Sequence, residues 1–138
     1  MKLKDLHEGL WDKEPDINWA TSSNAIRKQN FDDPNLVLLT CSIRDVFDNG
    51  LRAYSLDLDD PSGGSNAIGN RLEKAIAHIR EGNPMDPPEV GYNPTLKKVD
   101  FTDGRHRCVA AYQFGAEYIP MFVAREGLEV FKQLVDTR

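Results

Sequence analysis

The sequence predicts an α+β (α/β) fold, in which helices and strands alternate along a chain of 138 residues. Two observations carry this prediction. Some segments repeat apolar residues every three or four positions, as on one face of a helix, whereas others are short β-prone runs. Gly, Pro, Asn and Asp separate these segments where turns are expected.

Four short apolar or β-prone runs predict strands: Leu36 to Cys41, Pro88 to Tyr92, Lys97 to Thr102, and Tyr118 to Ala124. The second and third are joined around Asn93-Pro94-Thr95, and this spacing predicts a hairpin. The polar sequence Asp48-Asn49-Gly50 predicts a turn after the first strand.

Three segments have the pattern of helices. The first can be capped by Ser65 or Asn66 and carries an apolar stripe up to Gly82: Ile68, Leu72, Ala75, Ile76 and Ile79. The second runs from Arg105 to Phe114 and is stopped by Gly115. The third directs four apolar residues inward: Leu128, Phe131, Leu134 and Val135.

The first 34 residues have a different composition, since they are polar and are interrupted by Pro15 and Pro34. We expect residues 1–34 to form an irregular or part-helical extension and residues 35–138 to form the domain. The segment from Leu51 to Ser65 is rich in Asp, Pro and Gly, which predicts a mobile loop that could act as a lid.

Composition excludes some classes of protein. The apolar runs are far shorter than the roughly 20 residues that span a bilayer, and the first ten residues lack a secretion signal. We therefore expect a cytoplasmic protein without membrane contact. The net charge is −5, all of it in residues 1–61, so contact with DNA would have to be local.

The two cysteines, Cys41 and Cys108, lie in apolar or half-apolar segments of a protein expected in a reducing compartment. They are predicted to be buried free thiols. The three histidines and two cysteines show no zinc-ligand spacing, so zinc chemistry is not expected.

The densest cluster of chemically active residues is Asp103-Gly104-Arg105-His106-Arg107, between a predicted strand and a predicted helix. A helix start attracts anions through its N–H groups and the positive end of its dipole. Gly104 lets a phosphate approach, and the three basic side chains supply donors. The alternative is that Asp103 caps the helix and the arginines are ordinary surface charge. Three basic groups oppose the dipole, however, so we favour an anion site.

A second set of basic residues, Arg71, Lys74 and His78, has the spacing of one stripe on the preceding helix. Taken alone, such a stripe is more often a solvated face. It would be functional if it converged with the cluster around Arg107.

The run from Ile79 to Val123 resembles the ParB/sulfiredoxin superfamily. The similarity rests on Pro87-Pro88, on Asp103-Gly104-Arg105-His106-Arg107, and on the following Ala110-Ala111-Tyr112, Gly115 and Ile119-Pro120. The resemblance implies a small mixed sheet of about four strands with flanking helices, and a nucleotide such as ATP as ligand. It assigns phosphate contacts to Gly104, His106 and Arg107, and nucleotide contacts to Arg71, Lys74 and His78.

The sequence also departs from known branches of that superfamily. Sulfiredoxins carry a reactive cysteine immediately before the His-Arg pair, where this chain has Arg105, so it is not expected to be a sulfiredoxin. ParB partition proteins add a helix-turn-helix domain, for which the 31 residues after Arg107 are too few. Two branches of the superfamily remain compatible with this sequence. They are the stand-alone nuclease or ATPase domains, including plasmid or phage effectors, and the free serine kinases.

The sequence is compatible with two functions. The first is hydrolysis of ATP or of DNA phosphodiesters, with Arg105 among the phosphate ligands, His106 as a catalytic residue, and Asp103 orienting a water molecule or Mg²⁺. Asp57, Asp59 and Asp60 could add metal ligands, although a solvated acidic loop is the simpler interpretation. The second is a non-catalytic, nucleotide-regulated binding or inhibitor protein with a protein partner. A kinase would need a carboxylate base that the sequence does not indicate.

Overall fold

The computed structural model of this chain describes residues 16–50, 58 and 71–138. Within those residues the helices are α1 (Gln29–Asp32), α2 (Ile43–Asp48), α3 (Arg71–Arg80), α4 (Arg105–Gln113) and α5 (Leu128–Leu134). The strands are β1 (Leu36–Ser42), β2 (Glu89–Asn93), β3 (Lys98–Asp103) and β4 (Tyr118–Ala124).

The four strands form one mixed sheet in the order β1-β4-β2-β3. β1 pairs antiparallel with β4, and β2 pairs antiparallel with β3, whereas the central pair β2 and β4 is parallel. The parallel pair arises because α4 crosses over between β3 and β4. The predicted α+β fold, with a mixed sheet of about four strands and flanking helices, is confirmed.

The hairpin between β2 and β3 is closed by an Asn side chain. The Oδ1 atom of Asn93 accepts hydrogen bonds from the backbone N–H groups of Thr95 at 3.0 Å and Leu96 at 3.1 Å. The Asn side chain competes with strand pairing for backbone N–H groups, and for this reason Asn favours turns. The prediction of a hairpin turn around Asn93-Pro94-Thr95 is therefore confirmed.

Helices α3 and α4 pack against each other. Residues 108–113 of α4 are all buried, and α3 contributes buried Leu72 and Ala75, with Ile76 and Ile79 packed against the core. Gly115 adopts a φ of +94° just beyond α4, as predicted for the residue that stops this helix. The predicted cap at Ser65 or Asn66 lies outside the described residues, as does Ile68.

Helix α2 was not predicted, since the sequence indicated only the turn Asp48-Asn49-Gly50 after β1. Ser42 caps this helix by accepting a hydrogen bond from the Asp45 N–H at 3.2 Å, and Ile43 and Val46 are its buried residues. Six residues are too few to show helical periodicity, although a Ser three positions before an Asp is a recognisable cap.

The core combines both cysteines with apolar side chains from every layer. Cys41 and Cys108 are fully buried and are free thiols, as predicted. Phe131 of α5 and Val99 of β3 are also fully buried. None of the helices in the described ranges is long and apolar enough to cross a membrane.

Candidate anion site at the start of helix α4

The backbone at Gly104 forms the start of α4. Gly104 is the N-cap residue with a φ of +92°, and no side chain from residues 16–50, 58 or 71–138 caps the helix. The first intrahelical bond runs from the Cys108 N–H to the Gly104 carbonyl at 3.0 Å. The first turn of this helix contains no acidic residue. No acidic side chain in the first turn therefore compensates the positive end of the helix dipole.

Gly104 also lies against Pro88, the residue that directly precedes β2. A Cβ atom at this position would be 2.8 Å from the Cα of Pro88 and 2.5 Å from an Nη atom of Arg107. These distances are too short for any side chain, so glycine is required by packing as well as by its φ angle.

Asp103 does not cap the helix. Its carboxylate accepts a hydrogen bond from an Nη of Arg107 at 3.0 Å, and it forms an ion pair with the Nε of Arg27 at 3.3 Å. Both partners are cationic, so Asp103 orients Arg107 and links it to the N-terminal segment. Its predicted catalytic and magnesium roles stay predictions.

Lys74, His78 and Arg107 line one open cavity of about 240 Å³. The first two lie on α3 and the third lies in the first turn of α4. His78 donates from Nε2 to the Pro84 carbonyl at 2.7 Å, since a carbonyl can only accept, and this bond fixes its ring in the cavity wall. Part of the basic stripe and part of the basic cluster therefore meet in space.

Arg71, Arg105 and His106 form a second group beside this cavity. Burial lowers the pKa of His106, and the positive charges of Arg71 and Arg105 lower it further. The Arg105 guanidinium lies over the ring of Phe101, 5.4 Å from its centroid. A lowered pKa keeps the His106 imidazole neutral at physiological pH.

The N-terminal segment contributes Ile26 to the cavity wall, beside Pro84, Met85 and Asp86, and this contact was not predicted from the sequence. Residues 18–20 run beside Met85, with the Met85 N–H donating to the Asn18 carbonyl at 2.8 Å and the Ala20 N–H donating to the Met85 carbonyl at 2.9 Å. Asp86 is buried and accepts hydrogen bonds from the backbone N–H groups of Ile26 at 2.9 Å and Arg27 at 2.8 Å. Because backbone N–H groups are common to nearly all residues, no sequence motif indicates this contact.

Some predicted elements of the site cannot be placed. Asp57, Asp59 and Asp60 lie outside the described residues, as does most of the loop expected between Leu51 and Ser65. Within residues 16–50, 58 and 71–138 no group of three or more His, Cys, Asp or Glu side chains could hold a metal ion.

Comparisons with family models, with curated proteins and with solved structures give no match to this chain. The resemblance to the ParB/sulfiredoxin superfamily therefore stays a prediction that rests on the residues around Asp103 to Arg107.

Proposed function

We propose that this protein binds the phosphate groups of a nucleotide at the start of α4, in the manner that its resemblance to the ParB/sulfiredoxin superfamily implies. The observation that carries the proposal is the cavity that Lys74, His78 and Arg107 line together. Positive side chains from two helices face one small space, and mutual repulsion among them is relieved when an anion enters.

The start of α4 strengthens this proposal. The helix is nine residues long, its first turn contains no acidic residue, and no side chain in the described part of the chain caps it. The dipole of this helix favours an anion at its N-terminus.

A nucleotide fits the charge distribution better than a long nucleic acid. The chain carries a net charge of −5, which disfavours the bulk electrostatic attraction by which proteins bind long nucleic acids. A single phosphodiester of DNA could still occupy the same cavity. Binding of DNA would then be local, and weaker than binding along a continuous positive groove.

The proposal is tested by titrating ATP into the protein in a calorimeter. Replacing Arg107→Ala or Lys74→Ala should weaken ATP binding about tenfold to a hundredfold, since each removes a charge-assisted contact of about 1.5–3 kcal/mol. Lys98→Ala is the matched control, because Lys98 is an exposed cation at the far end of β3. Equal affinities for all four proteins would contradict the assignment of the site.

Hydrolysis of the bound nucleotide is a second candidate function, because His106 lies in the first turn of α4, one position before Arg107, and burial and the positive charges of Arg71 and Arg105 lower its pKa. A neutral imidazole can accept the proton of a water molecule that attacks the terminal phosphorus, while the bond to the bridging oxygen breaks and the rest of the nucleotide leaves. No step in this scheme depends on a metal ion.

Release of inorganic phosphate from ATP tests this second function. We expect His106→Gln to reduce the release rate by about a hundredfold or more, while calorimetry still detects ATP binding. If the wild-type protein binds ATP but releases no phosphate, the non-catalytic alternative is favoured, namely a nucleotide-regulated protein that acts on a protein partner.

A further inference from the structure

Ile26 is an apolar side chain in an unusually exposed place. It is 84% exposed, the most exposed of the large hydrophobic residues in the described part of the chain, and it lines the same cavity as Lys74 and Arg107. An apolar side chain gains stability when another apolar group covers it.

The exposure of Ile26 is fixed by the fold. Its N–H and that of Arg27 donate to the two carboxylate oxygens of Asp86, which is only 7% exposed. The preceding residue, Ala25, is buried, and the side chain of Arg27 is ion-paired with Asp103. Ile26 is therefore held at the cavity rim by neighbours on both sides.

The wall of the cavity has two chemical parts. Lys74 and Arg107 provide positive charge, beside the His78 imidazole and the buried carboxylate of Asp86, whose two oxygens already accept the N–H groups of Ile26 and Arg27. The other part is largely apolar and is formed by Ile26, Ala75, Pro84 and Met85. Such a wall matches a ligand that carries an anionic group at one end and a flat apolar body at the other.

The size of the cavity agrees with partial enclosure of such a ligand. At about 240 Å³ it is slightly smaller than the roughly 300 Å³ at which pockets begin to enclose drug-sized ligands. Phosphate groups would fill the inner part near Arg107, and a bulkier ring system would extend past the rim, where Ile26 lies.

We propose that Ile26 is the contact for the base of a nucleotide whose phosphates lie against Lys74 and Arg107. This inference rests on the proposed function and adds to it a ligand class: the site selects nucleotides over inorganic polyphosphates of the same charge. Asp86 lines the same cavity and acts as a positioning residue, since its two carboxylate oxygens hold the backbone N–H groups of Ile26 and Arg27.

The experiment compares ATP with inorganic tripolyphosphate by calorimetry. The two probes carry the same number of phosphate groups, but only ATP carries a base. We expect the wild-type protein to bind ATP roughly tenfold more tightly. Ile26→Ser should weaken ATP binding by roughly fivefold and leave tripolyphosphate binding unchanged, because only the apolar contact is lost.

Two control variants accompany this measurement. Leu96→Ser removes another exposed large hydrophobic residue, 53% exposed in the β2–β3 turn, and should change neither affinity. Ile26→Leu keeps an apolar side chain of similar volume at the rim and should retain most of the preference for ATP.

The outcomes separate this inference from the function on which it rests. If both probes bind with equal affinity, or if Ile26→Ser does not alter the preference for ATP, the role of Ile26 is overturned and phosphate binding stands. If neither probe binds the wild-type protein, both proposals fail.

Discussion

Gly104 shows at the scale of one residue how closely the backbone approaches its neighbours at the site. Its φ of +92° lies in the region that disfavours residues with a Cβ atom, and an added Cβ would be 2.8 Å from the Cα of Pro88. Gly82 has a similar φ of +72°, but nothing lies within 4 Å of the position of its Cβ. A comparison of Gly82 with Gly104 therefore distinguishes the cost of a left-handed backbone from the cost of steric overlap.

We predict that Gly82→Ala lowers the free energy of unfolding by about 1–2 kcal/mol, the cost of the left-handed conformation alone. Gly104→Ala should cost roughly 1–3 kcal/mol more, because its Cβ overlaps backbone that cannot move freely. Urea denaturation of the wild-type protein and the two variants measures both values. Equal losses would show that Pro88 can move away and that the approach is not tight.

His106 is the second residue whose surroundings predict a measurable effect. Burial lowers its pKa first, and Arg71 and Arg105 add to the effect. We predict that Arg71→Gln raises the pKa of His106 toward its ordinary value of about 6.5, as measured by NMR titration of the imidazole. Lys132→Gln, an exposed position on α5, should leave it unchanged. No rise in Arg71→Gln would contradict the proximity of Arg71 to the start of α4.

The same shift has a consequence for stability. Because the folded protein binds a proton at His106 less readily than the unfolded chain, this group stabilises the fold fully above the unfolded pKa. That contribution is lost as the pH falls through the lowered folded pKa. The free energy of unfolding should therefore fall less steeply between pH 7.5 and pH 5 in His106→Gln than in the wild-type protein.

At the scale of secondary structure elements, the packing of α3 against α4 brings the basic residues together. Lys74 and Arg107 belong to different helices, and they line one cavity because Leu72 and Ala75 anchor α3 in the core. Leu72 is 4% exposed, so its removal would leave a void under the helix that carries Lys74.

We predict that Leu72→Ala lowers the free energy of unfolding by about 2–5 kcal/mol. Glu73→Ala, one residue further on the exposed face, should change it by no more than about 0.5 kcal/mol. Both values follow from urea denaturation curves. A small loss for Leu72→Ala would mean that α3 is not anchored at this point.

The whole molecule keeps both of its thiols inside the core. Cys41 and Cys108 are each 0% exposed, and burial raises the pKa of Cys41 to about 12. Burial also raises the pKa of Cys108 well above its usual range. Because the thiolate is the reactive form, neither side chain should react in the native protein.

We predict that a thiol reagent at pH 8 modifies no cysteine in the folded protein and two per chain in guanidinium chloride. The denatured sample serves as the control for reagent activity, and the sequence contains only these two cysteines. Native-state labelling at the rate of an exposed thiol would show that the core opens readily.

The sequence by itself determined most of the secondary structure. The strand from Tyr118 to Ala124 and the helix that begins at Arg105 occupy the predicted positions, because periodicity and turn residues are local properties of the chain. The basic residues of the candidate site were also recognisable, since the conflict between Arg105 to Arg107 and the helix dipole needs only sequence neighbours.

Only the tertiary structure decided how those residues are used. Asp103 was a candidate helix cap in the sequence, yet Gly104 is the N-cap residue and Asp103 binds Arg27 and Arg107, because a distant segment brings a second guanidinium to it. Ile26 and Asp86 are 60 positions apart and were not recognised. Their contact joins a backbone N–H to a buried carboxylate, and such a contact depends on how the chain folds back on itself rather than on residue types near either end.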